Sequence, residues 1–371
     1  MKKVIGLVHT RFSPHGGVEN YINKLVPSLI LRGWKIHYLT SMINQDVPSE
    51  MTVHKIPVIR GLSTARMLSF AYGARKKAMK LDLPLIMGFG RTIYQDIYRD
   101  GSGCFLDYEK NAQKNFNRLY RKTYLHLEKK RFSDPRLKKV ITVSNMVKEQ
   151  IIDRYRVPDD KIQVVYSGVN AGHLNPDLKK QKNHFKKELK INKDDLTILF
   201  IGNGFKRKGL DYLIDAIGYI KDKIPVTILV AGNDKKIDFF KKRAAGAGCA
   251  ENFRFLGYQN NVGALYGASD LFVLPSLFDP IANVVLESLY TGTPVITGEQ
   301  VGGGELVENG VNGFVLHDYN PDTLSKAILS FYHSEEKDKM KNSAHGAAAP
   351  YRWDLHMDLL EKIFFEIIME S

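Results

Sequence analysis

Three consecutive cations set between glycines, and two carboxylates eight residues apart, are the groups in this chain best suited to chemistry. Gly202-Asn203-Gly204-Phe205-Lys206-Arg207-Lys208-Gly209 directly follows an apolar run. Arg207 offers a two-pronged guanidinium and Lys208 a compact charge, a pairing that suits a diphosphate; the plain alternative is a solvated basic loop. The loop lacks the Lys-Ser/Thr ending of a nucleotide-hydrolysing P-loop. The acids lie in Phe278-Asp279-Pro280-Ile281-Ala282-Asn283-Val284-Val285-Leu286-Glu287. Asn283 is expected to cap a helix and leave the amides of Val284, Val285 and Leu286 to an anion. Glu287, a turn further on, can accept two hydrogen bonds from a vicinal diol such as a ribose, and Asp279 on the loop can hold sugar hydroxyls. For each acid the alternative is a helix-start charge with no ligand.

Two further turns are rich in glycine. In His15-Gly16-Gly17-Val18-Glu19, Gly16 and Gly17 lack the Cβ atoms that would keep a phosphate from backbone amides. The alternative is an ordinary turn. The spacing is not the G-x-G-x-x-G of a dinucleotide site, which argues against NAD and FAD. Gly302-Gly303-Gly304-Glu305 allows close backbone approach to a ligand, or is a flexible loop.

The elements that must position these turns alternate. Strands are expected at residues 4–8, 34–40, 85–88 and 140–143, with a helix at 18–31. The pattern then restarts with strands at 196–201, 226–231, 253–256, 271–274 and 294–297 and a helix at 210–220. Alternation of this kind gives parallel sheets covered by helices, and ligands of such sheets bind outside the carboxyl ends of the strands. The fold class is therefore α/β, with two βα domains in tandem joined at about residues 168–195. A final helix at 353–369 has one apolar face and reads as packed on a domain surface.

A chain of 371 residues with 44% apolar and 25% charged residues can build two cores. No apolar run approaches the ~20 residues of a membrane span, and the start is too short in apolar residues for a signal peptide, so the expected location is the cytoplasm. Two cysteines support neither a disulfide framework nor a four-cysteine metal site. The net charge of +14 suggests a polyanionic partner. Residues 110–139 concentrate it: Lys110, Lys114, Arg118, Arg121, Lys122, Lys129, Lys130, Arg131, Arg136, Lys138 and Lys139 stand against Glu128 and Asp134, a net +9. Phe116, Leu119, Tyr120, Tyr124, Leu127 and Phe132 are interleaved with them, which suits an anionic bilayer surface. A solvated helix over a buried aromatic stripe is the competing view. Nucleic-acid binding is not expected, because no recognition module is present.

The four turns, in this order and at these separations, resemble the retaining glycosyltransferases of family 4. Asp279 to Glu287 matches the family's EX7E signature, and Ile141-Thr142-Val143-Ser144, Ser167-Gly168-Val169-Asn170, Gly292-Thr293-Pro294-Val295-Ile296-Thr297 and Val311-Asn312-Gly313-Phe314-Val315 are similar to its other segments. Phe205-Lys206-Arg207-Lys208-Gly209, with Leu85-Ile86-Met87-Gly88-Phe89-Gly90 and Asp96-Ile97-Tyr98, looks most like the lipopolysaccharide core glucosyltransferase I group.

The resemblance implies a GT-B fold. Its Rossmann-like domains, residues 1–170 for the acceptor and 171–350 for the nucleotide sugar, would face a central cleft, with residues 351–371 returning to the N-terminal domain. It implies transfer of a hexose, glucose favoured, from a nucleotide sugar, UDP-glucose favoured, as co-substrate. No metal or resident cofactor would be required. The acceptor would be a glycan or lipopolysaccharide core at the cytoplasmic face of the inner membrane. Gly16 and Gly17 would face the donor phosphate. Asn203, Arg207 and Lys208 would line the diphosphate site, with Asn283, Val284, Val285 and Glu287 on the nucleotide and Asp279 at the sugar. Asp100 and Asp96, placed together on a loop facing that cleft, are the acids that would assist, the alternative for each being a structural role. Two residues depart from the family: Asp279 stands where Glu is usual, and Asn203 where Arg is frequent, so Arg207 would have to supply the guanidinium. A UDP-sugar epimerase and a non-enzymatic basic binding protein are the rival expectations.

Overall fold

A computed structural model of the chain describes residues 2–14 and 16–370; His15 of the first glycine turn lies outside the described residues. Contacts divide the chain into two units, residues 1–167 with 356–371, and residues 168–355.

The first unit runs β1 (Val4–Val8), β2 (Arg11–Phe12), α1 (Gly17–Leu31), β3 (Lys35–Thr40), β4 (Met42–Ile43), β5 (Met51–Lys55), α2 (Ser63–Leu81), β6 (Ile86–Phe89), β7 (Ile97–Asp100), α3 (Phe105–Asn111), α4 (Arg118–Phe132), β8 (Lys139–Thr142), α5 (Asn145–Tyr155) and β9 (Ile162–Val164). Its seven strands are parallel in the order β5-β3-β1-β6-β7-β8-β9, and β2 pairs with β4 beside them. A parallel sheet buried on both faces needs apolar side chains at successive positions. Ile5, Leu7 and Val8 of β1 and Ile86, Met87 and Phe89 of β6 meet that need.

The second unit runs α6 (Lys182–Glu188), β10 (Leu196–Ile201), α7 (Leu210–Ile220), β11 (Val226–Ala231), α8 (Ile237–Gly246), β12 (Phe253–Gly257), α9 (Gly263–Ala268), β13 (Leu271–Leu274), α10 (Asn283–Tyr290), β14 (Val295–Gly298), β15 (Gly313–Leu316), α11 (Pro321–His333) and α12 (Lys337–Ala348). Its order is β12-β11-β10-β13-β14-β15, all parallel.

The last helix, α13 (Trp353–Met369), packs in the first unit from His356 onward. Met357, Leu360, Ile363, Phe364 and Ile367 are buried, and Phe364 meets Trp34 edge-on at 5.4 Å between ring centroids. Glu361 fastens it, accepting from Trp34 Nε1 and Arg32 Nη1 at 2.7 Å each and from Lys3 Nζ at 3.1 Å.

Candidate functional site

In the second unit the chain winds outward in opposite directions from β10 and β13, so a crevice opens at their carboxyl ends, where ligands of such sheets bind. The loops that leave these strands, residues 202–209 and 275–282, are the two sequence-marked turns. They are laced together by backbone: Arg207 O accepts from Leu277 N at 2.9 Å and from Ser276 Oγ at 3.1 Å. Gly209 has φ +79°, and a Cβ there would lie 2.0 Å from Pro275 O, so only glycine fits this approach.

Asp279 gathers the cations. It is buried and pairs with Lys208 Nζ, while Arg207 Nη1 stands 3.5 Å from the same oxygen and donates to Phe278 O at 2.7 Å. Burial pushes the Asp279 carboxyl up, but Lys208 and then Arg207 outweigh that and hold it at about 2. Burial lowers the Lys208 ammonium and Arg207 lowers it further, with Asp279 opposing both. The second Asp279 oxygen accepts from Ala282 N at 2.9 Å and Ile281 N at 3.4 Å.

That turn differs from the sequence expectation. Ala282, not Asn283, occupies the cap position of α10, in the left-handed region at φ +50°. Asp279 bonds its amide and so stabilises a conformation that costs a residue with a Cβ. Asn283 is the exposed first residue of the helix, and the Val285 amide is not left to a ligand because it donates to Ala282 O at 2.8 Å. Val284 is half-buried beside it. Glu287 is half-buried and accepts from Tyr266 Oη at 3.0 Å; the same hydroxyl lies 3.2 Å from Val284 O. Tyr266 is fully buried, which together with Glu287 raises its phenol. Asn203 is exposed, and its Oδ1 accepts from Asn233 N at 2.8 Å, tying the ends of β10 and β11 together. Gly302, Gly303 and Gly304 are buried in a tight turn, and a Cβ on Gly303 would meet Ile281 O at 2.5 Å. These glycines let the turn pack against residues 281–285.

In the first unit the order reverses between β1 and β6. Gly16 caps α1 with φ +134°, and the Glu19 carboxylate lies where its Cβ would be. The space at the corresponding position of Gly17 is open. Glu19 is bound by Arg11 Nε at 2.5 Å and His9 Nε2 at 3.2 Å. Burial raises Glu19, but His9 and Arg11 prevail and hold it at about 2. The Glu19 carboxylate of the glycine turn is therefore ionised, with the Arg11 guanidinium beside it as its counter-charge.

Asp100 ends β7, buried, with Oδ1 accepting from Ser102 N and Gly103 N at 2.9 Å each. Burial raises its carboxyl. Asp96 is a correction. It precedes β7, at the amino end of the sheet, where its Oδ2 accepts from Ile86 N at 2.8 Å and pairs with Arg136 at 3.0 Å. Its role is to hold strands together, and it does not share an edge with Asp100.

The basic segment is divided between a buried and an exposed face. Glu128 and Arg131 are buried on the inner face of α4. Arg131 Nε donates to Thr92 O at 2.9 Å, and its guanidinium sits 4.1 Å from the Tyr98 ring centre. Glu128 accepts from Phe105 N at 3.0 Å and from Tyr155 Oη. Lys110, Lys114, Arg118, Arg121, Lys122, Lys129 and Lys130 remain exposed. His9, Glu128 and Tyr266 carry no motif in the sequence; His9 directly after an apolar strand was the one available signal. Among the described residues, no three His, Cys, Asp or Glu are grouped to hold a metal ion.

Residues 15–173 match the sequence model of Glycosyltransferase Family 4, and residues 181–346 that of Glycosyl transferases group 1. An uncharacterized glycosyltransferase of Methanocaldococcus jannaschii is 30% identical over 221 residues, 58% of this chain, and the match spans only 56% of that relative. The lipopolysaccharide glucosyltransferase WaaG of Escherichia coli is 22% identical over 86% of both chains. A crystal structure of WaaG superposes with a TM-score of 0.80 at 19% identity, covering 96% of this chain and 98% of that one. Anabaena HepE, solved with UDP and glucose, gives 0.74 at 17% identity, covering 98% and 99%.

Proposed function

The chain belongs to the glycosyltransferases of family 4 and group 1 with the GT-B fold, and from that premise we propose that it moves a hexose from a nucleotide sugar to a hydroxyl of a membrane-associated glycan, with retention at the anomeric carbon. The observation that carries this reading is the gathering of Arg207 and Lys208 on Asp279 at the carboxyl ends of β10 and β13.

Departure of a nucleoside diphosphate builds negative charge on the leaving phosphate. Cations fixed beforehand stabilise that charge without reorganising. Arg207 and Lys208 are so fixed, and they supply the neutralising charge that a divalent ion can give elsewhere. Glu287, oriented by Tyr266, receives the ribose diol. Both oxygens of Asp279 are committed to Lys208 and to the 281–282 amides, so Asp279 positions the cations and the sugar-side turn and does not act as a nucleophile. The acceptor hydroxyl then attacks from the leaving-group face and passes its proton to the departing phosphate. UDP-glucose is the favoured donor, because WaaG is a glucosyltransferase and HepE was solved with UDP and glucose. Asp100, at the carboxyl edge of its own sheet, is the acid assigned to the acceptor side.

No helix among the described residues is long and apolar enough to cross a membrane. The exposed cations of residues 110–130 suit peripheral attachment to an anionic cytoplasmic face of the inner membrane. The test is UDP release from UDP-glucose with and without a heptose-containing acceptor. Acceptor-dependent release is expected, and Arg207→Ala should lower kcat by roughly 100-fold or more. Release indifferent to acceptor, or an epimerised sugar still joined to UDP, overturns the reading.

A further inference from the structure

A second cluster of cations lines an open surface groove of about 670 Å³ between α3, the start of α4 and the end of α5, bordered by Lys110, Lys114, Arg121, Arg154, Glu109 and Phe116 among others. That volume suits a small organic ligand and exceeds what a bare ion fills. We propose that it is a binding site for a phosphomonoester. The proposal refines the reading of residues 110–139 as a surface facing anions, and it is independent of the donor site.

The charges of the groove are unequal in commitment. Arg154 is held by Asp107, its Nη2 donating to Oδ1 at 2.6 Å, and Arg121 Nε stands 3.3 Å from Glu109 Oε2. Lys110 and Lys114 are exposed, with no carboxylate in reach among the described residues. With each arginine set against its acid, a net charge of about +2 faces the groove. A phosphomonoester carries about −1.5 to −2 near neutral pH, so it matches this charge, whereas a phosphodiester monoanion leaves one ammonium uncompensated. The organic part also has a surface to meet. Phe116 is stacked on Tyr120 at 5.0 Å and packed against Phe105 at 5.1 Å, so its ring is a fixed apolar wall. Guanidiniums held by their own acids lose little freedom when they add a bond to phosphate oxygens.

Such an ester can come from a lipid headgroup or from a phosphorylated saccharide. The full chain is floated with phosphatidylcholine vesicles doped with phosphatidic acid or, at matched surface charge, with phosphatidylglycerol, and is titrated calorimetrically with glucose 6-phosphate. Preference for phosphatidic acid supports the site with a lipid source. Binding of glucose 6-phosphate with equal vesicle retention supports it with a soluble source. Equal retention on both vesicles and no glucose 6-phosphate binding overturns the site, while leaving the anionic-surface reading intact. Lys110→Gln with Lys114→Gln should weaken the specific signal by ~30-fold at an unchanged melting temperature, and Lys→Arg at both positions should restore it. A double Gln variant that binds as the parent does also overturns the proposal.

Discussion

Burial strips the Lys208 ammonium of water, and the Asp279 carboxylate is what keeps a charge there. The pair is thus part of the fold as well as of the proposed chemistry. Lys208→Ala would leave the buried carboxylate with only the more distant Arg207 guanidinium and two backbone amides, a change that should cost toward the lower end of the about 3–5 kcal/mol typical of a broken buried pair. Thermal melts should therefore show Lys208→Ala strongly destabilised, and Lys208→Ala with Asp279→Asn closer to the parent; equal melting temperatures for both would show the pair to be structurally idle. The pair should also persist across the working pH range. The Asp279 carboxyl is depressed, so its stabilisation is complete above the ordinary carboxylate pKa and is lost only as pH falls toward about 2. Tyr266 acts one step further back. Tyr266→Phe removes one hydrogen bond from Glu287, worth about 1 kcal/mol, and should raise KM for the nucleotide sugar roughly five-fold with kcat little changed. A fall in kcat at constant KM would deny Glu287 its ribose role. Arg207, Lys208, Asp279 and Glu287 were legible because their glycines and spacing are local properties of the chain. Tyr266 was not, because its partner lies 21 residues away on a different helix.

Elements that repeat an apolar strand, a turn and a helix declare themselves, and β1, β10, β11, β13 and β14 were read from such runs. β7 was missed: of its four residues Ile97, Tyr98, Arg99 and Asp100, two are charged, yet all four are buried. Missing that strand put Asp96 on the wrong edge of the sheet. α4 shows the same difficulty on a helix. Its charge count is plain in the sequence, but which face turns inward depends on packing against α2 and on the backbone carbonyl of Thr92. The structure turns Glu128 and Arg131 inward, and this has a pH consequence. Burial raises the Glu128 carboxyl to about 7, against the opposing pull of Arg131, Tyr155 and the Phe105 amide. Below its ordinary value near 4.5 the group is protonated whether folded or unfolded. Between there and about 7 the folded state holds the extra proton, so this group makes stability fall as pH rises, and above that range the loss is complete. Glu128→Gln should remove the loss. Its melting temperature, relative to the parent, should be more favourable at pH ~8 than at pH ~5; the opposite trend would mean that the ionised carboxylate is the stabilising form.

At the scale of the whole molecule the first unit is not a contiguous piece of chain, since its fold draws on residues from His356 onward. That dependence can be weighed. Met357, Leu360, Ile363, Phe364 and Ile367 are buried, and at about 1.5–3 kcal/mol for each large apolar side chain the five contribute about 10 kcal/mol. Domains are stable by only about 5–15 kcal/mol in total. Removing the helix also strands Trp34, whose indole N–H loses the Glu361 carboxylate. A chain ending at residue 355 should therefore lose the cooperative unfolding of its first unit. Residues 168–355 contain all six strands of their sheet together with both loops around Asp279, so that piece alone should melt cooperatively and its melting temperature should rise with UDP. If it folds yet fails to respond to UDP while the full chain responds, then Arg207, Lys208 and Glu287 are insufficient by themselves to hold the nucleotide.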